Sequence, residues 1–230
     1  MKILIVSATS YEIAPLIRYM DEHAVKASFF EYQYKGHSVY PLVTGVGSLM
    51  TAFGMARYTD IKNVTVAINV GLAGSYGDEF ELGEVVEVYK DRFADLGVEE
   101  ANGDFTDVYQ LGLTDAQRFP YEDGWIENKK PKFSSLLPQI KGLTVNKVHG
   151  EQSSIDKIKE KYSAEVETME GAGFMYACRI MDVDHHQIRA LSNRVEPRNK
   201  DNWQIRPAID NLNQHLITFV DQIIAQHTLS

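Results

Sequence analysis

KILIVSATSYEIAPLIRYM, residues 2–20, is the stretch whose reading decides the fold class. Lys2 to Val6 is an unbroken apolar run, the pattern of a strand covered on both faces by helices. Ser7-Ala-Thr-Ser-Tyr-Glu12 interrupts it with a small, polar turn, and Ile13, Leu16, Ile17 and Met20 then recur at helical spacing. Thr9 or Ser10 is the expected N-cap of that helix.

Outward from this unit the alternation continues. Phe29 to Tyr34 and Ser38 to Val43 read as hairpin partners around Lys35-Gly36, and Thr44-Gly-Val-Gly-Ser48 leads into a helix over 49–58. Val64 to Val70 is a second buried strand, ending in Gly71-Leu-Ala-Gly74; Val85 to Tyr89, Leu143 to Val148 and Gln187 to Leu191 are further strands. Helices are expected over 153–162, 169–181 and 203–226, the last with Ile209, Leu212, Leu216, Phe219, Val220 and Ile223 on one stripe and Pro207 in its first turn. Residues 101–140 keep no period and read as long loops over a site. Strands alternating with helices, without repeat or linker, make the class α/β and residues 1–230 a single domain.

A formal charge of −9, from 23 Lys and Arg against 32 Asp and Glu, disfavours partners held through phosphates. Neither nucleic acid nor an anionic membrane surface is expected. The excess lies between Asp78 and Asp107, where eleven acids meet two bases, and it reads as a solvated face. The one cysteine, Cys178, excludes an intrachain disulfide and a cysteine-rich metal site, and reads as inert core. No apolar run approaches the ~18 residues of a membrane span. The apolar start is too short for a signal-peptide core, so a cytoplasmic protein is expected.

Polar or glycine-rich residues cluster at several strand ends, where α/β sheets place ligands. Gly45-Val-Gly47 precedes a helix, so its amides could meet an anion or a hydroxyl-rich ligand, or simply form a tight turn; Gly71-Leu-Ala-Gly74 has the same two readings. Glu12 follows the first strand, as a general base or a capping-box glutamate. Glu170 lies in Glu167-Thr-Met-Glu-Gly-Ala-Gly173, where two glycines in a helix signal a close backbone approach; its carboxylate could take two sugar hydroxyls at once. Ser192 and Asn193 end a strand, and the Asn carboxamide offers donors and an acceptor suited to a nucleobase edge. His185-His186 has no partner at metal-ligand spacing and reads as solvated turn.

The SATSYEIAPL start, VTGVGS, INVGLAGS, LGEVVEV, VETMEGAG and RALSN occur in the order seen in the purine nucleoside phosphorylase/nucleosidase superfamily, which the chain resembles over nearly its whole length. Residues 94–100 (ADLGVEE) and 192–203 (SNRVEPRNKDNW) are most similar to its futalosine hydrolase branch. The resemblance implies a three-layer α/β/α sandwich around a central mixed twisted sheet, and hydrolysis of an N-glycosidic bond that releases hypoxanthine in menaquinone biosynthesis. It implies that Glu12 activates water and that Met169 and Glu170 pack beneath the ribose and bind its hydroxyls. Arg189, Ser192 and Asn193 would line the purine edge, with Gly45, Gly47 and Gly71 in the substrate site. It implies no metal and no organic cofactor, a small-molecule nucleoside as partner, and a homo-oligomer, dimer or tetramer.

Two departures matter. Asn193 stands where the nucleosidases carry an aspartate, and Leu72 where they usually carry serine. A carboxamide can donate to O6 or N7 of a 6-oxopurine, whereas a carboxylate would repel O6, so Asn193 argues for hypoxanthine over adenine. It also leaves base departure to hydrogen bonding, since an amide cannot hand over a proton near neutral pH. A phosphorylase needs arginines around its phosphate; the first loop presents Glu12 instead, which favours water as nucleophile. Arg198, Lys200 and Arg206 are the cations available to a carboxylate on the substrate's arm, and an aromatic from 105–125 could cover the base. The alternatives are a methylthioadenosine/S-adenosylhomocysteine or aminodeoxyfutalosine nucleosidase releasing adenine, a phosphorylase, and a nucleoside-binding protein without turnover.

Overall fold

The computed structural model describes residues 1–58 and 60–229. In chain order its elements are β1 (Lys2–Ser7), α1 (Ala14–His23), β2 (Val25–Ser28), β3 (Glu31–Tyr34), β4 (His37–Val43), α2 (Ser48–Arg57), β5 (Val66–Ser75) and β6 (Val85–Phe93). There follow β7 (Gly97–Glu99), β8 (Phe105–Asp107), β9 (Tyr121–Glu122), β10 (Trp125–Glu127), β11 (Gln139–Thr144), α3 (Gln152–Tyr162), β12 (Val166–Thr168), α4 (Gly171–Met181), β13 (His185–Arg194) and α5 (Ile205–Leu229).

Alternation along β1 makes the layers. Ile3 and Ile5 pack with Leu16 and Met20 of α1 and with Leu212, Leu216 and Phe219 of α5. Leu4 and Val6 turn the other way, onto Met55 of α2 and Phe174 and Met175 of α4. Because successive strand side chains face opposite sides, a run with no polar position has to be covered twice, and the helices supply both covers. Cys178 is part of the second cluster, fully buried. The α5 stripe is the expected one, from Ala208 to Ile224.

The central sheet is mixed. β1 pairs in parallel with β4 and β5, and β13 runs parallel to β5 and antiparallel to β6. β5 also pairs with β12, β12 with β11, and β11 with β6, so five strands return on themselves and close the sheet beside its open wing. Lys35 and Gly36 adopt positive φ between β3 and β4, the turn that a tight hairpin requires.

Several expectations need correction. Helix α1 begins at Ala14 with no side-chain cap; Pro15 removes one of the orphan amides, and Thr9 is engaged elsewhere. Helix α4 begins at Gly171, so Met169 and Glu170 precede it and the two glycines sit in its first turn. β11 ends at Thr144, four residues short of Val148, while β5 and β13 both run on past their apolar cores. Residues 101–140 hold three short strands among their turns. The acidic block is not wholly solvated: Glu87, Asp91 and Asp107 are buried, with Asp107 paired to Arg92 at 2.6 Å.

His185-His186 is the clearest reversal. Both rings are buried at the start of β13, His186 bonding Glu87 through Nδ1 at 2.6 Å and His185 meeting the Val183 carbonyl at 3.0 Å. Spacing shows no metal partner, but it does not show that a strand begins there and carries the pair inside. Burial lowers the His185 pKa to about 4. Between its ordinary value of 6.5 and 4 the unfolded chain therefore binds the extra proton, and stability falls as pH drops through that window. His185→Leu is expected to flatten that slope: the wild-type minus variant difference in urea-unfolding free energy should shrink from pH 7 to pH 4.5 by roughly 1.4 kcal/mol per pH unit at most.

Candidate functional site

The parallel strands β1, β5 and β13 end at one edge of the sheet, and the expected site residues collect there. Glu12 lies in the turn after β1. Its Oε2 accepts from the Thr9 amide at 2.9 Å, the Thr9 hydroxyl at 2.9 Å and the Ser7 hydroxyl at 3.1 Å, while Oε1 accepts from the Leu72 amide at 3.3 Å. The Glu12 amide donates back to the Thr9 hydroxyl at 3.4 Å, so the two residues exchange the bonds of a capping box in the turn ahead of α1, and the small residues of the turn let the loop fold around the carboxylate.

Glu170, 6% exposed, sits between β12 and α4 and accepts from the Gly47 amide at 2.9 Å. Gly45 and Gly47 both have positive φ, and the turn brings the start of α2 against this carboxylate. Their amides are consumed by the fold, Gly45 donating to the Ala8 carbonyl at 3.1 Å, so the expected amide contacts to a ligand are not available. The close backbone approach read from Gly171 and Gly173 is real. A Cβ at Gly171 would collide with Asp91 and Gln187, and one at Gly173 would lie 2.6 Å from the Ser48 carbonyl oxygen.

Arg189 joins the two carboxylates. Its side chain is 1% exposed and donates to Asn69 Oδ1 and, at 3.2 Å, to Gln187 Oε1. Gln187 in turn donates to the fully buried Asp91 at 2.9 Å, whose carboxyl is pushed up to about 6 by burial. Burial also draws the Arg189 pKa down, against the opposing pull of Glu170, Glu12 and Asp91. A Cβ on Gly71 would lie 2.5 Å from Arg189 Nη1 and 2.8 Å from Glu12 Oε1, so the two groups crowd the same point above that glycine. Arg189 thus lies beside Glu12, and Gly71 is what leaves them room.

Asn193 stands apart from that group. A bulge between Leu191 and Asn193 breaks the β13 register, which re-aims the side chains at the strand end. Ser192 donates to Asn193 Oδ1 at 2.8 Å, and Asn193 Nδ2 donates to the Arg194 carbonyl at 2.9 Å, which fixes the amide orientation. One N–H and one lone pair remain for a ligand. The cleft beside it is lined by Gly74, His149, Glu167, Arg198 and Trp203. Arg198 lies over the Trp203 ring at 5.2 Å; of the three expected cations it alone lines this cleft. Met169 is half-buried next to Glu170. The aromatic residues of 105–125 pack on one another and on Arg92, as Tyr109 does against Tyr121, and do not line it. A larger depression of about 690 Å³, between α3 and the β7–β8 hairpin, holds none of the expected site residues and shares only His149 with the cleft.

Asn69, Gln187, His149 and Glu167 carry much of this geometry and were not among the expected site residues. Asn69 and Gln187 were detectable as polar residues inside otherwise apolar strands, positions that burial tolerates only with partners. His149 has no such signal.

The Phosphorylase superfamily matches residues 2–225 of the chain. Futalosine hydrolase from Thermus thermophilus is 32% identical over 181 residues, 77% of this chain and 79% of that protein. Aminodeoxyfutalosine nucleosidase from Campylobacter jejuni is 24% identical over 85% of this chain and 86% of its own length. The structure of 5′-methylthioadenosine/S-adenosylhomocysteine nucleosidase from S. pneumoniae superposes with a TM-score of 0.76 at 22% identity, covering 97% of this chain and 100% of that one.

Gly71→Ala tests the crowding of Glu12 and Arg189. Both clashing atoms end flexible side chains, so the variant should fold, with a melting temperature within a few degrees of wild type. Catalytic turnover should fall at least ~10²-fold, because a displacement of about 1 Å at the reacting groups is enough for that.

Proposed function

The chain belongs to the Phosphorylase superfamily and is an N-glycosyl hydrolase within it, and we propose that the nucleoside it cleaves is futalosine, with hypoxanthine as the released base. The observation that carries hydrolysis is the site above Gly71, where Glu12 occupies the approach to the sugar and the nearby cation, Arg189, is already engaged by Asn69 and Gln187. A phosphate would meet two carboxylates there; a water would meet a fixed base.

In this reading Glu12 takes a proton from water on the sugar face opposite the base, with Arg189 beside it above Gly71. Bond breaking leaves positive charge on the ribosyl ring, as in other glycosyl transfers through an oxocarbenium-like state. Glu170, tied to the Gly47 amide through Oε1, presents its other oxygen to the ribose hydroxyls, with Met169 beneath the ring. Ser192 pins Asn193 so that an N–H can reach O6 or N7 of a 6-oxopurine. Arg198, which lies over the Trp203 ring, would meet a carboxylate on the arm that the sugar product keeps. The exposed Leu49, Met50 and Phe53 of α2 offer an apolar face for a second copy of the chain.

Two measurements test this. Incubation without phosphate with futalosine, aminodeoxyfutalosine, methylthioadenosine and inosine should release hypoxanthine from futalosine fastest; release of adenine alone would overturn the substrate assignment. Glu12→Gln should lower kcat by ~10²–10⁴, the range of a lost general base. Retention of more than about a tenth of the wild-type rate would remove Glu12 from that role.

A further inference from the structure

The cleft beside Asn193 holds a second titratable pair, and nothing above uses it. Glu167 of β12, 4% exposed, pairs in register with Gly74 of β5. A Cβ on Gly74 would lie 3.3 Å from Asn193 Nδ2 and 3.6 Å from Glu167 Cγ, so both side chains converge over that glycine. Glu167 Oε2 accepts from the Tyr76 hydroxyl at 2.9 Å and from His149 Nδ1 at 2.7 Å, and Oε1 accepts from the His149 amide at 3.1 Å. One carboxylate thus clamps His149 by ring and backbone together. The proton of that contact sits on Nδ1, because an ionised carboxylate can only accept. Nε2 takes no partner among the described residues, and the side chain, 13% exposed, lines the cleft with Asn193.

We propose that His149, oriented by Glu167, is the general acid that protonates the departing purine, the role that the Asn193 carboxamide cannot fill. The inference rests on the nucleoside-hydrolysis reading above. As the C1′–N9 bond breaks, its electron pair goes to the base and a proton passes from His149 Nε2 to N7, so the purine leaves neutral. Water adds to C1′ and its proton goes to Glu12. Solvent then reprotonates His149 and takes the proton from Glu12, so each turnover consumes one water and no net proton. Glu167 stays charged throughout, holding the ring by the Nδ1 proton in both states, as carboxylates orient histidines elsewhere. Acid and base then act from separate positions, His149 beside Asn193 and Glu12 beside Gly71.

The charged and titratable groups around the imidazole are Glu167 and Tyr76 on its clamped side, with Arg194, Glu196 and Arg198 from β13 and the segment after it. On the outer side Asp95, Glu99, Asp104 and Lys147 and, from α3, Lys157, Glu160, Lys161 and Tyr162 share the larger depression with it. Among the described residues only Glu167 bonds the ring.

The test compares wild type with His149→Gln on futalosine and inosine, across pH 5 to 9, with melting temperatures as a folding control. Wild-type kcat/KM should fall on the alkaline side with one limb. His149→Gln should lose ~10²–10⁴ in kcat with KM changed only a few-fold, and should lose that limb. A wild-type profile flat on the alkaline side overturns the assignment. So does a variant that keeps more than about a tenth of kcat, or one that keeps the wild-type limb. A wild-type protein that releases no base from either nucleoside overturns the hydrolysis reading, and this assignment with it; an active wild type with an unaffected variant overturns His149 alone.

Discussion

One buried cation organises the site. Arg189 comes from the middle of β13 with 1% of its surface exposed, and Glu12, Glu170 and Asp91 are the carboxylates that favour its charge. A guanidinium buried there without those partners would be an uncompensated charge, and the carboxylates without it would repel one another. Its five donors explain the polar residues around it: Asn69 from β5 takes one, Gln187 another, and Gln187 passes the connection on to Asp91. The strands that must be apolar to build the sheet therefore carry a polar seam through it, and the seam ends at Glu12 above Gly71.

Glycine makes that seam possible. Gly71 gives Arg189 and Glu12 their shared space, Gly74 does the same for Asn193 and Glu167, and Gly171 admits Asp91 and Gln187 against the start of α4. Three residues without side chains let three pairs of polar side chains approach backbone from above. In a sheet closed by β5, β13, β6, β11 and β12, little slack exists to open such space by bending.

The layers were legible in the sequence because they follow from periodicity. The unbroken run Lys2–Val6, the hairpin at Lys35-Gly36 and the stripe along α5 each have one physical solution. Site residues were legible where a polar group interrupts such a pattern, as Glu12, Glu170 and Asn193 do. What escaped were relations across the fold. Spacing places Arg189 three residues before Ser192, yet the strand's alternation separates them, one beside Glu12 and the other bonded to the Ala73 carbonyl and Asn193. Likewise His149 follows β11 as an ordinary loop residue, and only the pairing of β12 with β5 brings Glu167 to it. The burial of His186 was hidden for the same reason, since Glu87, the partner that admits it, lies on another strand.

The central claim is that Glu12, stationed beside a cation that already donates to Asn69 and Gln187, makes water the nucleophile. Turnover of futalosine in ¹⁸O-labelled water, with and without millimolar phosphate, tests it at the bond that forms. The account predicts one ¹⁸O at the anomeric carbon of the released sugar product and a rate indifferent to phosphate. A product carrying phosphate at that carbon, with a rate that rises with phosphate concentration, would contradict it.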